Sequence, residues 1–204
     1  TVMCMEPVGL YNAIDTEFAN IDATAISYMY QRGLDVITAS ILACCVSNAL
    51  SPDATVDSVC KTALMYSPHQ PLNTFDKRPF KSVYEYIEKC LEIGDKYDDV
   101  MAVRKELYEK CLLYHQIDPL EVLGFSLAIF KTAKGDVRMS AIGGTNIGRD
   151  ADTIAGRAAM LAGTLKGYKN IPEEWVKMFS KNSLERIKNN SKKISNLLIN
   201  YKLP

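Results

Sequence analysis

Residues 36–50 read VITASILACCVSNAL, and this almost wholly apolar stretch decides the fold class. An apolar run of this length predicts a helix that is buried on every side. It is too short to cross a bilayer, which takes about 20 apolar residues. A second helix of the same kind is predicted from IDPLEVLGFSLAIFKTA, where Asp118 and Pro119 form an N-cap and a first-turn proline and Gly135 ends the helix.

Amphipathic helices are predicted on both sides of these two apolar ones. Ser51 and Pro52 match an N-cap with a first-turn proline and predict a helix to Tyr66. The proline-rich segment 67–79 is predicted to be a loop, and a glycine-rich loop is expected after residue 142. The remaining predicted helices span residues 16–30, 80–93, 98–113, 153–165, a short stretch after Pro172, and 183–201. Because no segment alternates convincingly as a strand would, the predicted fold class is all-α.

Charge and composition exclude several classes of protein. The 204 residues carry 24 Lys+Arg and 24 Asp+Glu, and 48% of them are hydrophobic. This is the composition of one globular domain rather than of a disordered chain. Zero net charge removes the bulk attraction on which non-specific nucleic-acid binding depends, so no nucleic-acid partner is expected.

The cysteines predict a reducing environment. None of the six forms a C-x-x-C pair, so a zinc site is not expected, and five fall in predicted helices where a thiol behaves as a small hydrophobe. A domain of this size does not need disulfides, and the first residues show no signal peptide. We therefore expect a cytoplasmic protein without a membrane segment.

The first residue, Thr1, is not an initiator methionine. A proteolytic cut or a removed leader explains this, and either implies that sequence upstream is missing. A sharper alternative makes Thr1 an N-terminal nucleophile whose own amine serves as the base. Nothing nearby resembles an oxyanion partner, which favours the first explanation.

The stretch that carries chemistry is AIGGTNIGRDADTIAGRAAMLAGTLKG, residues 141–167. Asp150, Asp152 and Thr153 offer three oxygen donors of the kind that Mg²⁺ prefers, although three do not complete an octahedral site. An ordinary helix cap made by Asp152 or Thr153 explains the same spacing, and spacing alone leaves both hypotheses open.

Two further features surround these three residues. Arg149 is placed to pair with the aspartates or to hold an anionic ligand. The helix that follows is rich in small residues, and Gly156 and Gly163 predict tight packing, because glycine is unfavourable by about 1 kcal/mol in a helix interior.

The run GGTNIGRDADTIAGRAAMLAGTLKGYKNIPEEW resembles the C-terminal signature of the ADP-ribosylglycohydrolase family, which includes the dinitrogenase reductase-activating glycohydrolases. In that family a glycine-rich loop leads to Asp-x-Asp-Thr/Ser, a small-residue helix, a glycine and Ile-Pro-x-x-Trp. The matching residues are Gly148, Asp150, Asp152, Thr153, Ala155, Gly163, Gly167, Ile171, Pro172 and Trp175. Upstream, MCMEPVGL resembles the family's Met-Arg-x-x-Pro-Ile-Gly-Leu segment in Met5, Pro7 and Gly9, whereas Cys4 and Glu6 depart from it.

The resemblance implies an all-helical hydrolase that cleaves an N- or O-glycosidic bond at the ribose of ADP-ribose, with two Mg²⁺ or Mn²⁺ ions in a central cleft. Asp150, Asp152 and Thr153 match the family's C-terminal metal ligands, and Gly148 and Arg149 are the candidate substrate-binding residues. In such enzymes metal ions orient ribose hydroxyls and activate water. Negative charge nearby favours an oxocarbenium-like transition state.

One departure bears on the whole chain. The family carries a second acidic motif, Thr/Ser-Asp-Asp-Thr, near its N-terminus, and it does not occur here. The nearest string, Tyr97-Asp98-Asp99-Val100, lacks both hydroxyls and is interpreted as a helix start. Residues 1–204 are therefore interpreted as the C-terminal two-thirds of one family domain.

Three hypotheses follow from this interpretation. The favoured one is a proteolytic fragment whose N-terminal part lies on a companion chain, which completes a two-ion centre. The second is a truncated, non-catalytic module that binds ADP-ribose or regulates another protein. The third is a processed hydrolase that uses Thr1 as its nucleophile.

Overall fold

A computed structural model of this protein describes residues 2–71 and 80–201. Across these residues the chain forms eleven α-helices, one short 3-10 helix and no β-strand, which confirms the all-α prediction. The α-helices are α1 (Glu6–Tyr11), α2 (Thr16–Tyr28), α3 (Leu34–Ala49), α4 (Val56–Met65), α5 (Val83–Asp95), α6 (Val103–Cys111), α7 (Pro119–Thr132), α8 (Val137–Asn146), α9 (Ala151–Lys166), α10 (Glu173–Val176) and α11 (Lys181–Tyr201). No helix of the described ranges is long and apolar enough to span a bilayer.

Helices α3 and α7 form the centre of the protein, as their all-round apolar sequences predict. Ile41, Leu42 and Cys45 of α3 and Phe125 and Phe130 of α7 are completely buried. Helices α1 and α2 pack against α3, helices α5 and α9 pack against α7, and α3 and α7 contact each other. The two apolar helices thus receive partners on every side from the amphipathic ones.

Helix α4 begins later than the sequence predicts. The Ser51 amide donates to the Asn48 carbonyl at 2.9 Å, and the Ala54 amide donates to the Ser51 carbonyl at 3.0 Å, so this segment is a turn that follows α3. The cap is made by Thr55, whose hydroxyl accepts from the Ser58 amide while the Ser58 hydroxyl accepts from the Thr55 amide. The prediction of an N-cap at Ser51 is wrong, because the capping box at Thr55, four residues later, provides hydrogen-bond acceptors for two amides at the start of the helix.

Five cysteines lie inside the helical core, as predicted. They are Cys44 and Cys45 in α3, Cys60 in α4, Cys90 in α5 and Cys111 in α6. Burial raises the pKa of the Cys44 and Cys60 thiols to about 12. These side chains therefore stay protonated at neutral pH and pack as small apolar groups.

Helix α11 runs along the outside of the protein and contacts α1. Its Lys- and Asn-rich face is exposed, as the amphipathic pattern predicts. The apolar residues Leu184, Ile194 and Leu198 of this helix are half-buried, whereas Ile187 is 54% exposed.

The string Tyr97-Asp98-Asp99-Val100 does not open a helix, because α6 begins at Val103. The Asp98 carboxylate pairs with Lys134 at 2.6 Å. The Asp99 side chain accepts a hydrogen bond from the Met101 amide at 2.9 Å. Both carboxylates are therefore engaged in local contacts of an exposed turn.

Glu106 of α6 is the best-connected surface carboxylate of this region. It accepts from Lys110 Nζ at 2.6 Å, from Lys96 Nζ at 2.9 Å and from the Tyr97 hydroxyl at 3.0 Å. The hydrogen bonds from Lys110, Lys96 and Tyr97 lower the pKa of Glu106 from its ordinary 4.5 to about 2.

The pKa of Glu106 predicts an acid-sensitive contribution to stability. Because folding lowers this pKa, the carboxylate stabilises the folded protein fully above pH 4.5, and the contribution disappears as pH falls toward 2. We expect Glu106→Gln to lower the unfolding temperature at pH 7 and to match the parent protein near pH 2. The control is Glu109→Gln, which removes a carboxylate of the same helix that lies 4.0 Å from Lys105 and is largely exposed. Equal effects of the two variants at pH 7 would contradict the prediction.

Candidate metal centre

The turn between α8 and α9 brings the predicted metal ligands to the start of α9. Two consecutive residues of this turn, Gly148 with φ 78° and Arg149 with φ 62°, adopt left-handed backbone conformations. A Cβ at Gly148 would lie 2.6 Å from the Tyr108 hydroxyl oxygen, so a larger residue would have to displace Tyr108 and would also strain the left-handed backbone. The left-handed conformation is unfavourable for Arg149 by about 1–2 kcal/mol, so the surrounding contacts must maintain it.

Side chains of α6 hold the first residue of this turn. The Ile147 carbonyl accepts hydrogen bonds from Arg104 Nε at 3.0 Å and from the Tyr108 hydroxyl at 2.5 Å. The Arg104 guanidinium also lies over the Tyr108 ring, 4.6 Å from its centroid. Ile147 itself is completely buried. The turn is thus fastened to α6 on the side that precedes the aspartates.

Glycine allows α8 and α9 to approach closely, although not at the positions that the sequence indicates. Gly143 and Gly144 belong to α8, so the predicted glycine-rich loop after residue 142 is a helix, and only residues 147–150 form the turn. A Cβ at Gly144 would collide with the backbone of Ala155, 2.7 Å from its nitrogen. By contrast, apart from the backbone of α9 itself, no described atom lies within 4 Å of a Cβ at Gly156 or Gly163, so the prediction of tight packing at these two is wrong.

Asp150, Asp152 and Thr153 lie together at the N-terminus of α9. Asp150 occupies the N-cap position, and its carbonyl accepts from the Ile154 amide at 2.9 Å, but no side chain caps this helix. Burial raises the pKa of Asp150, and the neighbouring Asp152 carboxyl raises it further, whereas a hydrogen bond with the Thr153 side chain lowers it. Asp152 is exposed and Thr153 is buried. The structure therefore gives these residues a shared polar cluster and no capping hydrogen bond from their side chains.

The chemistry of this cluster fits a divalent cation. Burial and the neighbouring Asp152 carboxylate disfavour ionisation of Asp150, and a cation bound beside these oxygen donors and the Thr153 hydroxyl would relieve that effect. The three donors are a partial ligand set, because Mg²⁺ takes six. Within residues 2–71 and 80–201 no group of three His, Cys, Asp or Glu side chains is arranged to hold a metal ion.

The guanidinium of Arg149 is directed to Glu121 of α7 rather than to the aspartates. Its Nε and Nη2 donate to the two Glu121 oxygens at 2.6 and 3.0 Å, and Nη2 also donates to the Leu113 carbonyl at 3.0 Å. Glu121 is completely buried and also accepts from the Leu113 amide at 2.6 Å. Sequence reasoning missed Glu121, although a single acidic residue in an otherwise apolar helix was the signal that could have found it.

A second ion pair joins α1 to α9. Arg157, one turn after Thr153, places Nη2 2.6 Å from Glu6 Oε1, and both side chains are largely buried. Burial raises the pKa of Glu6, although the charge of Arg157 opposes that shift. Glu6, one of the two departures from the family's N-terminal segment, thus has its partner on the helix that carries the aspartates. Thr1, the candidate nucleophile, lies outside the described residues.

The model of the ADP-ribosylglycohydrolase family matches residues 1–200. Searches of curated proteins and of solved structures found no match.

Proposed function

Because this chain belongs to the ADP-ribosylglycohydrolase family, we propose that it is a metal-dependent hydrolase. Its reaction is the cleavage of an N- or O-glycosidic bond at the ribose of an ADP-ribosylated or related substrate. Mg²⁺ or Mn²⁺ is the proposed cofactor.

One observation carries the proposal. Asp150 stands at a helix N-cap but does not use its side chain to cap the helix, and it lies beside Asp152 and Thr153. Burial and the Asp152 carboxylate raise its pKa, although a hydrogen bond with Thr153 opposes the shift. A carboxylate that only capped a helix would accept amide hydrogen bonds, and these would favour its charged form. The arrangement of Asp150 disfavours the charged form until a cation is present.

The residues of this chain have distinct roles in the proposed mechanism. Asp150 and Asp152 would hold the cation through carboxylate oxygens, and Thr153 would hold it through its hydroxyl. A bound divalent cation supplies Lewis acidity and lowers the pKa of a coordinated water. In a glycosidic reaction of this kind, negative charge beside the anomeric carbon stabilises an oxocarbenium-like transition state.

The incomplete ligand set motivates a proposal about partners. We propose that a companion chain of the same protein supplies the remaining acidic ligands and completes a two-ion centre in the cytoplasm. Three donors leave half of an octahedral ion's positions for such residues, for water or for substrate. Intact-mass measurement of native material tests this proposal, and material that contains this chain alone would contradict it.

The experiment for the proposed activity is a panel of ADP-ribosylated peptides that carry arginine-linked or serine-linked ADP-ribose. The chain is tested alone and as native material, with Mg²⁺ or Mn²⁺ and with a chelator, and free ADP-ribose is measured by mass spectrometry. Release that requires the metal and disappears in Asp152→Ala supports the proposal. Binding of ADP-ribose without release from any peptide would instead support a non-catalytic module, and release that persists with chelator would refute metal dependence.

A further inference from the structure

We propose that Glu121 and Arg149 are positioning residues that hold Asp150 in the geometry needed to bind the cation. This inference rests on the proposed metal site and gives both residues a positioning role that acts through the backbone of the turn. The Glu121–Arg149 ion pair would then orient a metal ligand in addition to joining α7 to the turn.

The pair is built with more hydrogen bonds than an ordinary surface ion pair. Glu121 is completely buried, and its two oxygens accept from Arg149 Nε, Arg149 Nη2 and the Leu113 amide at distances between 2.6 and 3.0 Å. Arg149 Nη2 also donates to the Leu113 carbonyl. A bidentate, charge-assisted pair in a buried setting fixes the orientation of the guanidinium as well as its position.

The fixed guanidinium acts on Asp150 through the backbone. Arg149 is the residue immediately before Asp150, and its φ of 62° lies in the left-handed region, which is unfavourable for arginine. Fastening the side chain to Glu121 offsets that unfavourable conformation. Because Asp150 is the next residue, the φ of Arg149 determines how the Asp150 carboxyl is oriented relative to Asp152 and Thr153.

The turn is anchored independently at its other end. Ile147 is held through its carbonyl by Arg104 and Tyr108 of α6. Gly148 thus lies between two anchored residues, one fastened to α6 and the other to α7. This double attachment is what a ligand-bearing turn needs, because outer contacts that orient a metal ligand typically affect metal affinity by about 10–100-fold.

The test measures Mn²⁺ affinity by electron paramagnetic resonance of the free ion, together with thermal unfolding and hydrogen exchange of residues 147–152 without metal. We expect Glu121→Gln and Arg149→Lys each to weaken Mn²⁺ binding about tenfold and to speed amide hydrogen exchange in the turn. The reason is that neither variant can form the bidentate pair between two charged side chains. The control is Thr132→Val at the opposite end of α7, which removes a buried hydrogen bond to the Gly94 carbonyl. It is expected to lower the unfolding temperature without changing Mn²⁺ affinity.

A double variant separates positioning from stability. In Glu121→Gln with Arg149→Gly, no buried charge is left unpaired and glycine accepts the left-handed conformation readily. We expect its unfolding temperature to lie above that of Arg149→Lys while its Mn²⁺ affinity stays low. Recovery of both quantities would mean that the pair serves stability alone and would overturn the inference.

The outcomes also distinguish this inference from the proposed function. If the parent protein binds no Mn²⁺, the proposed metal site fails and the inference fails with it. If the parent protein binds Mn²⁺ and Glu121→Gln binds it equally well, the metal site stands and only the positioning role is refuted.

Discussion

Asp150→Ala is expected to weaken Mn²⁺ binding by at least about 100-fold, since loss of a direct ligand should exceed the effect of losing an outer contact. The same substitution is expected to raise the free energy of unfolding of the metal-free protein at pH 7. The reason is that the folded protein raises the pKa of Asp150 above its ordinary 3.8, through burial first and then through Asp152. A group with a raised pKa contributes most to stability below its ordinary pKa, and the contribution is lost as pH rises through the raised value. The stability gained by the alanine variant should therefore vanish in acid.

Asp136 provides the matched control, because it caps the neighbouring helix α8 with its side chain. Its carboxylate accepts from the Met139 amide at 2.7 Å. Asp136→Ala should lower stability by about 1 kcal/mol and leave Mn²⁺ affinity unchanged. If Asp150→Ala instead behaves like Asp136→Ala in both measurements, Asp150 is a structural residue and not a metal ligand. Chemical denaturation at pH 7 and at a pH below 3.8, the ordinary pKa of Asp150, combined with Mn²⁺ titration, makes the comparison.

Gly144→Val should lower the free energy of unfolding by about 3 kcal/mol, at the upper end of the usual range for overpacked cores. A side chain at this position has no room, because Cβ alone would collide with Cα, N and Cβ of Ala155. Two of these three atoms belong to the backbone, so α8 and α9 would have to separate. Since the turn that carries Asp150 joins these same two helices, Mn²⁺ affinity should fall together with stability. Denaturant unfolding monitored by circular dichroism measures the change.

The controls for Gly144 are Gly156→Ala and Gly163→Ala on helix α9. Each position is helical, and apart from the backbone of α9 itself no described atom lies within 4 Å of a Cβ placed there. Alanine is favoured over glycine in a helix interior by about 0.5–1 kcal/mol, so both variants should be more stable than the parent protein. A loss of stability in either would show that α9 is covered there by a partner.

Local sequence patterns predicted the helices that depend on local physics. The predictions of two buried helices, α3 and α7, and of an N-cap at Asp118 are confirmed. Burial on all sides and first-turn capping each produce a pattern within a single sequence segment, so both can be predicted locally. The cap at Ser51 was wrong because Thr55 and Ser58 offer a second capping pattern nearby. The sequence alone does not indicate which of two neighbouring capping patterns forms the N-cap.

The contacts around the candidate site depend on residues far apart in the chain. Glu121 and Arg149 are separated by 28 residues, and Glu6 of α1 pairs with Arg157 of α9. The motif predicted that Asp150, Asp152 and Thr153 lie together, whereas their supporting ion pairs required knowledge of how α1, α7 and α9 pack. The glycine that permits close helix contact was misidentified for the same reason, since the partner of each glycine is set by tertiary structure.

The buried thiols give this protein a built-in reporter of its own unfolding. Thiol reagents attack the thiolate, and a pKa of about 12 leaves almost none of Cys44 or Cys60 in that form at neutral pH. Burial also keeps the reagent away from Cys45, Cys90 and Cys111. Alkylation of these five side chains thus requires the helices to open. The alkylation rate of each cysteine therefore measures how often its own helix, α3, α4, α5 or α6, opens.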